Sequence, residues 1–203
     1  LEAPNDLVLS AGDEISGGGD VNADVTVDSG TVSPGTSGGD ITQTLSTDSV
    51  DMGTGTFTID LDGVSDGDLL DVTGTVDLDS STLAITSSAN LVQGSTIVII
   101  SNDDADAVTS TFSGLPEGSV VNDGTNDYVI SYSGGDGNDV VLFVGTPETE
   151  VKLDGGVLTI SDITSECADE ISFTYDALAD EYVINDPNLV ISTMGLTAAQ
   201  VTR

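Results

Sequence analysis

The sequence predicts an all-β protein, and three observations carry that expectation. Apolar residues recur with period 2: in Thr56-Phe57-Thr58-Ile59-Asp60-Leu61-Asp62 they alternate strictly with Thr and Asp, which places Phe57, Ile59 and Leu61 on one face of a strand. Such segments are short, and Gly, Asp, Asn or Ser follows each, the punctuation of a chain that turns about every 8 to 12 residues. Helix signals are nearly absent, with only Leu196 to Val201 suited to a single turn. Strands at that spacing fit a solenoid, a sandwich or a barrel.

The elements follow in order. Val25 and Val27 alternate with Thr26, then come the strand at Thr56–Leu61, Val76 with Leu78, and Leu83 with Ile85. Thr fills many of the intervening positions, where its branched Cβ suits a pleated, half-exposed surface. Apolar runs such as Ile97 to Ile100 fall far short of the roughly 20 residues of a membrane span, so no membrane insertion is expected. Tyr128–Tyr132 and Val140–Val144 close a first domain over residues 1–145. Residues 146–150, polar and containing Pro147, read as a linker. In residues 151–203, Val151–Leu153 and Val157–Ile160 flank Asp154-Gly155-Gly156, a turn with the residues a tight hairpin needs, and a second hairpin pairs Ile171–Tyr175 with Glu181–Asn185. This antiparallel module has little core of its own and reads as a truncated repeat unit. The first residue is Leu1 rather than Met and no basic segment followed by an apolar run appears, which points to a processed chain or an internal fragment, and the fragment is favoured.

Charge bounds the function. The chain has 36 Asp plus Glu, 2 Lys plus Arg and no His, for a net charge of −34. A nucleic-acid partner needs a basic footprint, and Lys152 and Arg203 are the only cations. Absence of His removes the Ser/His/Asp triad and the commonest transition-metal ligand. A carboxylate pair of the glycosidase kind survives the count, but no Trp and 4% aromatics argue against a sugar cleft, so no enzyme is expected. Spread over about 9,000 Å², the charge amounts to roughly one per 260 Å², a mean spacing of about 16 Å or two Debye lengths at 0.15 M salt. Salt therefore screens most of the repulsion except where carboxylates cluster. With so few basic side chains, cations from solution must take the place of salt bridges. The 37% hydrophobic content is too high for disorder along most of the chain. Cys167 is the only cysteine and forms no intrachain disulfide.

Gly134-Gly135-Asp136-Gly137-Asn138-Asp139-Val140-Val141-Leu142 fits the G-G-x-G-x-D-x-U-x nonapeptide, in which glycines let the backbone turn and Asp and carbonyl oxygens hold Ca²⁺. Gly135, Asp136, Gly137 and Asp139 are the candidate metal residues, with calcium as the cofactor. The other reading of the same residues is a glycine-rich hairpin loop. Asn122-Asp123-Gly124-Thr125-Asn126-Asp127-Tyr128-Val129-Ile130 ends similarly but has Thr125 where Gly belongs. Asp60, Asp62, Asp66, Asp68 and Asp71, and then Asp103, Asp104 and Asp106, read as solvated loop or outer-face carboxylates, since Gly63 directly after Asp62 breaks the EF-hand order. Thr-x-Thr pairs such as Thr56 and Thr58 are spaced irregularly, and β propensity accounts for them without an ordered water-binding array.

The succession Gly17-Gly18-Gly19-Asp20-Val21-Asn22, Gly30-Thr31-Val32-Ser33-Pro34-Gly35, Thr56 to Leu61 and Leu70-Asp71-Val72-Thr73-Gly74-Thr75-Val76, closed by Phe112-Ser113-Gly114-Leu115-Pro116-Glu117-Gly118 and the nonapeptide, resembles bacterial autotransporter-type β-strand-repeat (passenger-like) surface proteins over residues 7–144. Thr36-Ser37-Gly38-Gly39 departs from the Asn-Ser-Pro-Gly usual there, so that coil is expected to differ. The resemblance implies a right-handed β-solenoid, followed here by the small antiparallel module, within a giant secreted chain at the bacterial cell surface. β-Sandwich domains are the alternative fold. It brings no catalytic residues and implies a structural or adhesive role, with self-association or neighbouring modules of the same chain as partners. A carbohydrate- or ice-binding module, with a glycan or other cell-surface ligand, is the alternative function.

Overall fold

A computed structural model describes residues 6–35, 42–61, 67–87, 91–103, 106–146, 149–154, 157–162, 172–176, 181–185 and 191–192. The predicted turn at Gly155-Gly156, the helical turn at 196–201, Thr36–Gly39, Asp62, Asp66, Asp104 and Cys167 lie outside them. The chain falls into two compact units, Leu1–Val144 and Gly145–Arg203. Every regular element among the described residues is a β-strand.

The first unit holds β1 (Leu7–Leu9), β2 (Glu14–Gly17), β3 (Gly19–Val21), β4 (Val25–Val27), β5 (Thr31–Pro34), β6 (Thr44–Thr47), β7 (Val50–Asp51), β8 (Thr56–Leu61), β9 (Leu69–Val72), β10 (Val76–Asp77), β11 (Thr82–Ser87), β12 (Thr96–Asn102), β13 (Val120–Asn122), β14 (Asp127–Gly134) and β15 (Asp139–Val144). Up to β12 the chain gives one strand to each of three sheets in turn, and each strand pairs in parallel with the strand three further on. The first sheet runs β1-β4-β7-β10, the second β2-β5-β8-β11, and the third begins β3-β6-β9-β12. Steps between paired residues vary: 18, 25 and 26 along Leu7, Val25, Val50 and Val76, but 26, 25 and 30 along Gly19, Leu45, Leu70 and Ile100.

Period-2 alternation turns every other side chain inward, and parallel register then stacks these in rows. Leu7, Val25, Val50 and Val76 form one row, Ile15, Val32, Phe57 and Leu83 a second, and Leu45, Leu70 and Ile100 a third. Phe57, Ile59, Leu61, Leu70 and Leu78 are completely buried. Full burial of a residue of this size contributes about 1.5–3 kcal/mol, so the rows outweigh the small return of ladders only two to six residues long. Side chains also tie successive passes at their corners: Asp24 Oδ1 accepts the Ser49 N–H at 3.1 Å, and Ser49 Oγ accepts the Thr75 N–H at 3.3 Å. One corner requires glycine. Gly53 has φ +44°, and a Cβ there would lie 2.4 Å from the Val27 carbonyl oxygen of the pass beneath.

The parallel pattern ends after β12. Thr109 bridges Asp77 in parallel, and the Ser113 N–H donates to the Ser81 carbonyl at 2.8 Å, so a further pass begins. The chain then reverses: β15 pairs antiparallel with β12, and β14 and β13 follow antiparallel, completing the third sheet. Phe112 fills the space beneath, stacked on Phe57 with ring centroids 6.0 Å apart, and its N–H donates to the Tyr132 hydroxyl.

The second unit holds β16 (Thr149–Asp154), β17 (Val157–Asp162), β18 (Ser172–Asp176), β19 (Glu181–Asn185) and β20 (Ile191–Ser192). β16 with β17 and β18 with β19 are antiparallel hairpins, and β20 adds a parallel strand to β16. β16 starts inside the segment 146–150 that composition marks as a linker, because Thr149 and Glu150 are paired on both sides, with Asp162 and Ser161 and with Ile191 and Ser192.

Phe57 lies at the centre of the stacked rows and its ring supports Phe112. Phe57→Ala is expected to lower stability by about 3–5 kcal/mol in denaturant titration.

Candidate functional site

The four candidate metal residues meet at one hairpin end. Gly134 ends β14, Asp139 opens β15, and Gly135-Asp136-Gly137-Asn138 turn between them, closed by the Gly137 N–H donating to the Gly134 carbonyl at 2.8 Å. Gly135 (φ +58°) and Gly137 (φ +117°) occupy backbone regions that side chains disfavour. Gly135 is needed for a second reason: Asp139 folds over it, leaving no space for a Cβ. The nonapeptide thus forms an antiparallel hairpin, whereas a calcium roll takes its ligands from successive parallel turns.

Asp139 Oδ1 accepts the Asn102 N–H at 2.9 Å. Burial raises its pKa above the ordinary 3.8; the Asn102 hydrogen bond opposes this, and the negative charges of Asp136 and Asp71 reinforce it. Next to it, Asn138 Nδ2 donates to the Asp103 and Asp106 carbonyls at 3.2 and 3.0 Å, and Asn102 Nδ2 donates to the same Asp106 carbonyl. The hairpin end is therefore fastened to the chain after β12, while the buried Asn102 Oδ1 has no hydrogen-bond partner among the described residues. Among the described residues, no group of three or more His, Cys, Asp or Glu side chains is placed to hold a metal ion.

The near-copy upstream serves another purpose. Asp123 takes four hydrogen bonds: the Thr125 and Asn126 N–H groups, each at 2.7 Å, the Tyr128 hydroxyl at 2.7 Å, and the Ser87 hydroxyl. Burial by itself would raise its pKa, but the hydrogen bonds outweigh this and hold it below 3.8. Burial, with the Asp123 charge and hydrogen bond adding, pushes the Tyr128 phenol up to about 12. Asn126 Nδ2 donates to Ser87 Oγ at 2.9 Å, so this cluster locks the turn between β13 and β14 onto the end of β11. Its acceptor capacity is spent on protein donors.

The other carboxylates divide. Asp68, expected in a solvated loop, is 3% exposed and accepts the Gln43 N–H at 2.8 Å, because the register of β6 with β9 brings it against the preceding pass. Asp71 is not in a loop either: it lies in β9, in an outward row with Asp20, Ser46 and Ser101 on the third sheet. Asp60 faces outward at the end of β8. On the first sheet, Asp51 and Asp77 stack outward, each accepting an N–H two residues on, from Gly53 and Asp79 at 3.0 Å. Sequence reasoning missed the Asp123 cluster; the signal it held was Asn122-Asp123-Gly124, a side-chain-capped turn.

Two outcomes follow. Asp123 has a lowered pKa, so its stabilisation is complete above 3.8 and disappears as pH falls through the folded value. Asp123→Ala should cost about 2–3 kcal/mol at neutral pH and progressively less in acid, as read by chemical denaturation. Asp139 has the opposite sign: its carboxylate is a penalty above the folded pKa. Asp139→Asn keeps the acceptor for Asn102 and should raise the melting temperature at neutral pH in chelator.

Comparison of the chain with protein-family models and with curated proteins finds no match in either, so its function is argued from the arrangement above.

Proposed function

We propose that the chain is a non-enzymatic structural module of the bacterial cell surface: a section of right-handed β-solenoid of the autotransporter-type β-strand-repeat kind, followed by a small β module, acting as scaffold, adhesive stalk or fibre subunit. The observation that carries this reading is the parallel pairing of each strand with the third strand after it, four passes deep. Sandwiches are built from antiparallel sheets with Greek-key returns, so this pairing favours a coil over sandwich domains. The strong right-handed preference of parallel crossovers supports the hand.

A coil of this kind has ends, and its use is to extend or to join. β1, β2 and β3 each end their sheet, and such edges take up further strands, whether from neighbouring modules of a longer chain or from another copy. A charge of −34 opposes joining unless cations intervene. Calcium enters the proposal at Asp136 and Asp139, with Asp71 within electrostatic reach, as a weakly held ion that relieves a strained carboxylate. Gly135 leaves the room that Asp139 occupies.

Circular dichroism melting at fixed ionic strength, together with sedimentation, tests the cation dependence. Ca²⁺ should raise the melting temperature and promote multimers relative to chelator, and Asp136→Asn with Asp139→Asn should remove the difference. Equal behaviour with Ca²⁺ and chelator would reduce the acidity to surface solvation and leave a passive spacer.

A further inference from the structure

One sheet edge lacks the protection that the others carry. β11 ends the second sheet on the side away from β2. An edge strand offers unpaired N–H and C=O groups to other chains, and a charged side chain on it is a common guard against such pairing. Among the described residues, the other edge strands of four or more residues, β2, β17, β18 and β19, hold Glu14, Asp162, Asp176 and Glu181. β11 holds no charged residue, and residues 80–102 carry none in a chain with 36 acids.

The open groups can be assigned. The Thr82 N–H donates to the Gly55 carbonyl at 2.9 Å. Residues of a parallel ladder turn alternately to one neighbour and to the other, so Thr82, Ala84 and Thr86 bond to β8, and the N–H and C=O of Leu83 and Ile85 face the open side. No strand or bridge pairs with that side among the described residues. The chain that continues above is fastened elsewhere: the Gly118 N–H donates to the Ile130 carbonyl and the Ile130 N–H to the Ser119 carbonyl, both at 3.0 Å, which holds that segment against β14. Buried backbone groups are almost always paired, so the open groups of Leu83 and Ile85 face water. Their side chains show the same incompleteness. Phe57 and Ile59 are completely buried, whereas Leu83 and Ile85, stacked on them, are only partly so.

We propose that β11 pairs with β11 of a second copy of this chain, antiparallel about a two-fold axis through Ala84. The segment has the same chemistry read in either direction. With Ala84 opposite Ala84 of the second copy, Leu83 meets Ile85 and Thr82 meets Thr86. Leu83 and Ile85 take the hydrogen-bonded positions, where opposed residues exchange both N–H···O=C bonds. Ala84 falls at the non-hydrogen-bonded position, where the Cα atoms approach to about 4.5 Å and a small side chain fits. Apolar residues of both copies lie on the inward face and threonines on the outward one, so the sheet continues across the axis with its alternation intact. A contact of this kind closes with two copies. The inference does not rest on the scaffold reading, since pairing at this end of the sheet needs neither further coil nor calcium.

Sedimentation velocity of the full chain in chelator and reducing agent, over a range of NaCl concentrations, reads the association. Two chains of charge −34 repel each other, so the dimer should be about tenfold tighter at 1 M salt than at 0.1 M. Ala84→Lys, which sets two ammonium groups opposite each other, should be monomeric, and Thr58→Lys, on the same outer face one strand deeper, should dimerise as wild type does. Register is read by cross-linking in a Cys167→Ser background. Ala84→Cys should form an intermolecular disulfide under mild oxidation, because the two Cβ atoms come within reach, and Thr86→Cys, which faces Thr82 of the other copy, should not. Should Ala84→Lys lose its circular dichroism signature, the two cysteine variants decide. A wild type that is monomeric at every salt concentration would overturn the proposal and assign the open edge to a strand from a different protein, leaving the coil reading untouched. Dimerisation of a folded Ala84→Lys as tight as wild type, or equal cross-linking of the two cysteine variants, would overturn it as well.

Discussion

Everything in the larger unit depends on one constraint: a residue on one pass must lie over its counterpart on the next. The counterpart is 25 or 26 residues away on the middle passes, and parallel register leaves no latitude of a single residue, since a slip of one would turn the inward row of Val32, Phe57 and Leu83 to solvent. The ladders are too short to enforce this alone. Buried rows and corner hydrogen bonds such as Asp24 to Ser49 do so together, the rows by removing apolar surface from water and the corners by fixing where each strand begins.

The same stacking that collects apolar residues inside collects like residues outside, with opposite consequences for charge and for hydroxyl. Asp51 over Asp77 places two carboxylates on adjacent strands, and each is drawn aside into its own turn. Asp71 and Asp139 have less relief, and Asp139 is partly desolvated as well. Where the stacked residue is threonine the repetition costs nothing electrostatically and produces a surface with a regular period.

The hairpin that ends the parallel pattern explains why two similar stretches differ. Both 122–130 and 134–142 combine Asn, Asp and Gly before an apolar strand. In the first, Asp123 turns inward onto four donors and becomes a lock between strands. In the second, Asp139 meets one backbone N–H and two like charges, so it retains an unmet electrostatic demand.

The sequence by itself determined what is local. Alternation at Thr56–Leu61 fixed a strand and its inward face, because side-chain direction in a strand depends only on position along it. Glycines at 135 and 137 fixed a tight turn, since the positive φ needed there is a property of single residues. The acidity gave the expectation that nucleic acid is not a partner, by counting alone. Which strands pair was decided by the tertiary structure. Corners and loops of unequal length make the steps 17, 18, 25, 26 or 30 residues, and an unequal step is invisible as a repeat although it ends in the same register. The burial of Asp68, the start of a strand at Thr149 and the convergence of Ser87, Asn126 and Tyr128 on Asp123 arose the same way. So did the alignment of Thr31, Thr56 and Thr82. Each depends on a partner from a distant pass, and which residue meets which is settled only when the apolar rows close.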